Sequence, residues 1–235
     1  MNCFVDWSCG ILPLMRGCIE TPEEGAQAIS LLHTRLGFNR FLATPTYDSQ
    51  REPVSHFLLR RDRAAEDLCA LIPKQCKLAL GAGVVLNPSL HKVDGLEKLL
   101  VGRGRLPIVL PLTEYDDWID LELNRLLYRR KYKLLFLSME RSIALYPADC
   151  IEKLLRIEDA IFQFNFRALT DPACCRVIQT LLQRNRTVLL GTGIDSIDTC
   201  YAYDGACYLE KSDLHPADLQ VLLRSSNTAW QRLGL

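Results

Sequence analysis

Seven times along this chain a short apolar run gives way to a stretch with helical spacing, and that alternation restricts the fold more than any other feature. The runs span 2–8, 39–44, 77–82, 107–112, 133–138, 160–165 and 187–192. Each has about the length of a buried strand and is rich in Val, Ile, Leu and Phe, as expected where helices cover a sheet. Helical patterns cover 53–72, 94–101, 117–131, 148–158, 172–185 and 216–232. The clearest helix start is Thr21-Pro22-Glu23-Glu24. Thr21 caps, Pro22 suits the first helical position, and the acids sit at the positive end of the dipole. Ala26, Ile29, Leu32, His33 and Leu36 continue the pattern until Gly37 ends it.

Strands alternating with helices argue for a parallel α/β architecture. Periodicity does not separate a closed or distorted barrel from an open doubly wound sheet. No GxGxxG turn follows the first run, which weakens a dinucleotide-binding reading. The 235 residues contain no long linker, low-complexity tract or internal repeat and suit a single domain over 1–235.

Charge excludes some partners. Lys plus Arg and Asp plus Glu are 28 each, so no long-range field favours nucleic acid or anionic lipid. The start MNCFVDW lacks a basic segment followed by an apolar run, and no apolar stretch is long enough to span a bilayer. The expectation is a soluble, cytoplasmic protein. Its ten cysteines are Cys3, Cys9, Cys18, Cys69, Cys76, Cys150, Cys174, Cys175, Cys200 and Cys207, with no CxxC pair or zinc-finger spacing. They read as reduced thiols packed as small hydrophobes. Cys9 alone lies within a suspected site motif, and alternation with Ser8 and Gly10 turns it to the outer face. His33, His56, His91 and His215 all fall away from strand C-termini, so no histidine serves a nucleophile there. The Glu23–Glu24 and Asp116–Asp117 pairs begin helices and need no catalytic role.

The segments FVDWSCGILP, TPEEGAQAISLLHTRLGFNRFLATPTY, LALGAGVV, PIVLPL, FLSMERSI, FQFNFRAL and LLGTGIDS occur in that order. Together they resemble the successive motifs of bacterial tyrosine phosphatases of the polymerase-and-histidinol-phosphatase (PHP) type. The first is similar to a DxHxHILPG opening, with Ser8 and Gly10 in place of the two histidines. The second resembles the TxEES helix and the strand leading to ATPHH; Thr46 stands at the first histidine and Tyr47 at the second. Gly83 takes the place of a metal-bridging glutamate, and Val109 that of a glutamate before Leu-Pro. FLSMERSI resembles AHPERY, with Ser138 for histidine and Met139 for proline, while Glu140 and Arg141 are retained. FQFNFRAL is similar to LQVNAGSL, a strand that carries fold rather than ligands. In LLGTGIDS, resembling IASDAH, Gly193 replaces the aspartate and Asp195 the histidine.

The resemblance implies a single-domain, TIM-barrel-like, distorted (β/α)7 barrel with its site at the C-terminal ends of the strands. It also implies that the Mn, Fe or Zn cluster of the family is absent, because a metal site needs strong donors and only Asp195 offers a carboxylate. Ser8, Thr46, Gly83, Ser138 and Gly193 are expected around one cavity. Asp6, Glu140 and Asp195 are the residual catalytic candidates. Arg16, Arg51 and Arg141 are candidates for holding an anion where metal cations are lost, although each can instead pair with a carboxylate. Two functions remain open. One is a non-catalytic relative that binds a tyrosine kinase, a phosphotyrosine peptide or an active paralogue, in the capsular or exopolysaccharide synthesis that the resemblance implies. The other is a phosphoester hydrolase with a reduced metal site.

Overall fold

The computed structural model describes residues 4–15 and 19–235. Each expected apolar run overlaps a strand: β1 (Phe4–Cys9), β2 (Phe38–Ala43), β4 (Lys77–Leu80), β6 (Arg105–Val109), β7 (Lys133–Leu137), β8 (Ile161–Asn165) and β9 (Val188–Gly191), with β6 beginning two residues before its run. Two short strands were not anticipated, β3 (Thr46–Tyr47) and β5 (Gly83–Val85). They continue the lines of β2 and β4 after breaks at 44–45 and 81–82. Every ladder is parallel, in the orders β1-β2-β4 and β3-β5-β6-β7-β8-β9. The breaks are bridged by Gly81 N–H to the Ala43 carbonyl at 2.8 Å and Gly83 N–H to the Pro45 carbonyl at 2.9 Å. Arg61, buried on the helix α2 (Val54–Cys69), donates to the Gly81 carbonyl at 3.2 Å and steadies that bend.

Regular pairing does not join β9 to β1. Two backbone bonds link the chain beside and just beyond their C-terminal ends. Gly193 N–H donates to the Ser8 carbonyl at 2.9 Å and Gly10 N–H to the Ile194 carbonyl at 2.6 Å.

The helix α1 (Pro22–Leu36) follows the sequence signals closely. Thr21 Oγ1 accepts from Glu24 N–H at 3.2 Å, Glu24 reaches back to Thr21 N–H, and Gly37 closes the helix at φ 76°. This reciprocal cap satisfies donors that a helix start otherwise leaves open. The segment 94–101 is not an α-helix. It holds a 3₁₀ turn at Leu96–Leu99, preceded by another at Leu90–Lys92. Ser89 and Gly95 take positive φ and interrupt any longer helix. Buried Glu122 pins the preceding turn at Leu90–Lys92, accepting from His91 N–H at 2.6 Å and pairing with His91 Nδ1 at 2.7 Å. Glu122 belongs to α3 (Asp117–Asn124), which gives way to a π-turn at Arg125–Arg129 rather than running on to 131. Short helices α4 (Met139–Ile143), α7 (Ile197–Ala202) and α8 (Gly205–Glu210) escaped sequence reading. The patterns at 148–158, 172–185 and 216–232 correspond to α5 (Ala148–Leu155), α6 (Pro172–Gln183) and α9 (Pro216–Leu233).

Alternate strand residues feed two apolar clusters. Leu134, Phe136, Phe162, Val188 and Leu190 pack on the helix-covered side. Leu135, Leu137, Ile161, Leu189, Val5 and Trp7 form the second cluster, together with Ala229, Trp230 and Leu233 of α9. Fully buried Trp7 donates from Nε1 to the Ser226 carbonyl at 3.0 Å, and its ring lies 5.8 Å from that of Trp230. Such side chains contribute on the order of 2–3 kcal/mol each by leaving water.

Candidate functional site

The C-terminal ends of the strands surround an open cavity of about 480 Å³. Ser8 and Cys9 come from β1, Thr44 and Pro45 from the break after β2, and Thr46 from β3. Val109, Leu137 and Asn165 end β6, β7 and β8, while Ser138 and Gly193 follow β7 and β9. Arg141, Arg167, Asp195 and Thr199 supply polar groups at the wall. A parallel sheet brings residues far apart in sequence to one edge, because all its strands end at the same side.

Ser8, Gly10, Thr46, Val109, Ser138, Gly193 and Asp195 all line the cavity. Gly83 lies against that lining: a Cβ built on it would meet Val109 Cγ2 at 3.2 Å and the Thr44 carbonyl at 3.3 Å. Among the described residues no group of three or more His, Cys, Asp or Glu is placed to hold a metal ion.

At two of the motif positions, Gly193 and Gly10, the space a side chain would need is taken by other parts of the protein. Gly193 has φ +65°, and a Cβ there would sit 2.5 Å from Asn165 Nδ2 and 2.7 Å from its Cγ. An aspartate at this position requires both a left-handed backbone that L-residues avoid and displacement of Asn165. A Cβ on Gly10 would approach Asp195 Cα and Cβ at 3.2 Å. The donor set does not fit a multi-metal cluster: serine and threonine hydroxyls, glycines and a valine stand where imidazoles and carboxylates would be needed.

Polar groups beneath the cavity are locked to one another. Asp6 is fully buried and does not reach the lining. Its Oδ1 accepts from Thr192 N–H at 2.8 Å and Ser8 N–H at 3.2 Å, and its Oδ2 accepts from the Thr192 hydroxyl at 2.6 Å. Burial pushes the Asp6 carboxyl up to about 6, with the Thr192 and Ser8 bonds opposing. Gln163 accepts at Oε1 from Ser138 N–H at 2.8 Å and donates from Nε2 to Asn165 Oδ1 at 3.1 Å. Asn165 in turn donates from Nδ2 to Glu140 Oε1 at 2.7 Å and from its backbone to Glu140 Oε2 at 3.2 Å. Burial raises the Glu140 carboxyl above the usual carboxylate range, against its hydrogen bonds and the nearby Arg167 and Arg141.

The three residual carboxylates are therefore separated in role. Asp195 is exposed at the wall, whereas Asp6 and Glu140 are engaged with backbone and amide donors. Of the anion candidates, Arg141 lines the cavity. Arg51 does not; it pairs with Asp48 at 3.2 Å, a local i,i+3 ion pair that accounts for it. Arg16 lies outside the described residues, as do Cys3 and Cys18. None of the histidines lines the cavity. Cys9 is buried in the helix-side cluster and donates to the Leu42 carbonyl at 3.5 Å. Burial pushes the thiol of Cys174 up to about 12 and that of Cys200 to about 11, which keeps both protonated and unreactive.

Sequence reading missed Arg167, Asn165, Thr44 and Thr199 as members of the wall. Arg167 and Asn165 lie within FQFNFRAL, a segment valued for its strand alone. The available signal was position, since the last residue of a parallel strand and the one or two after it point to the mouth.

No protein-family model matches the chain, and no curated protein matches it. Solved structures do. One comes from the crystal structures of YwqE from Bacillus subtilis and CpsB from Streptococcus pneumoniae, unique metal-dependent tyrosine phosphatases: TM-score 0.63, 16% identity, 94% of each chain covered. Another is histidinol phosphate phosphatase from Lactococcus lactis subsp. lactis, complexed with zinc, L-histidinol and phosphate: TM-score 0.55, 11% identity, 91% of this chain and 94% of that one covered. At these identities the likeness shows a shared fold, a mixed α/β architecture on parallel sheets.

Proposed function

We propose that the chain is a catalytically inactive relative of the PHP-type, metal-dependent tyrosine phosphatases, and that it acts by binding. In this reading the two sheets form a single distorted (β/α)7 barrel, with β3 and β5 as outer continuations of β2 and β4. The carrying observation is at Gly193, where Asn165 Nδ2 lies 2.5 Å from the place a Cβ would occupy. The position that resembles a ligating aspartate is built over. Phosphoester hydrolysis by a metal cluster needs cations that activate water and neutralise phosphate together, and this wall supplies hydroxyls, guanidiniums and a single carboxylate, Asp195. A cavity without turnover suits recognition of a phosphotyrosine peptide, a tyrosine kinase or an active paralogue, in the cytoplasm and in a capsular or exopolysaccharide pathway.

Asp195, the carboxylate exposed on the wall, favours the second reading, a hydrolase with a reduced metal site. Metal analysis of protein purified without chelator, paired with Mn²⁺-dependent hydrolysis of an aryl phosphate, separates the two. The binding reading expects no stoichiometric Mn, Fe or Zn and no Mn²⁺-dependent turnover. Stoichiometric metal with turnover that disappears in Asp195→Ala establishes the hydrolase instead.

A further inference from the structure

Arg167 departs from the motif it sits in. Where the resembling strand reads Asn-Ala-Gly, this chain reads Asn165-Phe166-Arg167. The side chain rises two residues past the end of β8, onto the same wall as Arg141 from α4. Among the described residues the Arg141 guanidinium makes no hydrogen bond and no ion pair. Arg167 approaches Glu140 Oε1 at 3.9 Å, the outer limit of an ion pair, with its side chain 62% exposed. Glu140 is held more closely by Asn165, at 2.7 and 3.2 Å. The carboxylate therefore stays in place when Arg167 turns away. Elsewhere on the lining of the same cavity the hydroxyls of Thr46 and Ser138 have no hydrogen-bond partner among the described residues, and Asp195 adds an exposed carboxylate.

Two guanidiniums and two unengaged hydroxyls, against the single exposed carboxylate of Asp195, leave the cavity with donors in excess. A matching ligand is rich in acceptors, and a tetrahedral oxyanion offers more of them than a carboxylate. We propose that Arg141 and Arg167 together hold a tetrahedral oxyanion, the phosphoryl group of a ligand, without a metal ion, and that Glu140 is the internal carboxylate Arg167 leaves when that ligand arrives. The inference rests on the metal-free reading of the cavity and adds to it a residue, Arg167, that no motif marks.

The test is calorimetric titration of the full chain in EDTA with inorganic phosphate, with inorganic sulfate and acetate as comparison ions. One phosphate is expected per chain. Arg167→Ala and Arg141→Ala should each weaken it roughly tenfold or more, since a charge-assisted hydrogen bond is lost. Arg167→Lys, which keeps the charge but loses the fork, should fall between. It also carries the test if an alanine variant fails to fold. Glu140→Gln should bind phosphate more tightly by removing the competing charge. Arg51→Ala, outside the wall, should bind as the parent does. Sulfate bound in the same place supports a tetrahedral site, whereas acetate bound as tightly as phosphate overturns it. Equal affinity in the parent and both alanine variants also overturns the proposal. An absence of phosphate binding by metal-free protein overturns the arginine site and leaves the metal-free reading standing. Binding that appears only on adding Mn²⁺ overturns both.

Discussion

Toward the N-terminal ends of the strands, α9 presses Trp230 and Leu233 against Trp7, Val5 and Leu189, and the space is filled by hydrocarbon. At the C-terminal ends the packing beneath the cavity is polar: Asp6, Gln163, Asn165 and Glu140 are joined through hydrogen bonds to one another or to backbone. Both ends are close-packed, but they respond to different changes. Apolar packing depends on volume and is indifferent to pH, whereas the polar layer depends on each donor meeting its acceptor and on protonation. In the polar layer the space next to Gly193 is filled by Asn165 from the neighbouring strand.

The largest effect is expected at the apolar end. Trp7→Ala removes a fully buried ring and the bond to the Ser226 carbonyl, and should cost about 3–5 kcal/mol in urea unfolding. A loss below 1 kcal/mol would show that α9 does not close this end.

At the polar end, Asp6 makes stability depend on pH. Its folded carboxyl lies at about 6, above the ordinary 3.8, so the folded state holds the proton more tightly than the unfolded chain. The stabilisation is complete below the lower value and is lost as pH rises through about 6. Its size is on the order of 3 kcal/mol. Urea midpoints across this window should fall with rising pH in the parent and flatten in Asp6→Asn. A parent curve that does not fall removes the electrostatic half of the comparison.

Gly193→Asp tests whether Asn165 closes the space beside Gly193. It should destabilise by about 2–3 kcal/mol through the left-handed backbone and the clash with Asn165, and it should acquire no bound metal. A variant as stable as the parent, or one that binds Mn²⁺, would mean that Asn165 yields easily. The smallest effect is expected at the start of α1, where Thr21→Ala removes one side of the capping box. Thermal unfolding should register about 1 kcal/mol, with phosphate affinity unchanged.

Much of the framework is legible locally. β7 and β8 fall within their apolar runs, and α1 begins and ends at Thr21 and Gly37 because capping and left-handed termination are chemistry of adjacent residues. β3 and β5 escaped because two or three residues carry no detectable period. The helical pattern at 94–101 failed because Gly95 takes a positive φ and the turn after it closes as 3₁₀ over Leu96–Leu99.

The site divides the same way. The order of the motifs determined which residues meet at the mouth, since parallel strands must all end on one side, and Ser8, Thr46, Ser138 and Gly193 meet there. The sequence likewise determined that these positions lack imidazole and carboxylate donors. Only the tertiary structure decided what occupies the space instead. Asn165 reaches Gly193 from the neighbouring strand, Arg167 joins Arg141, and Arg51 turns away to Asp48. The physical reason is that occupancy at a strand end is set by neighbours across the sheet, tens of residues away along the chain, and no local pattern records their approach.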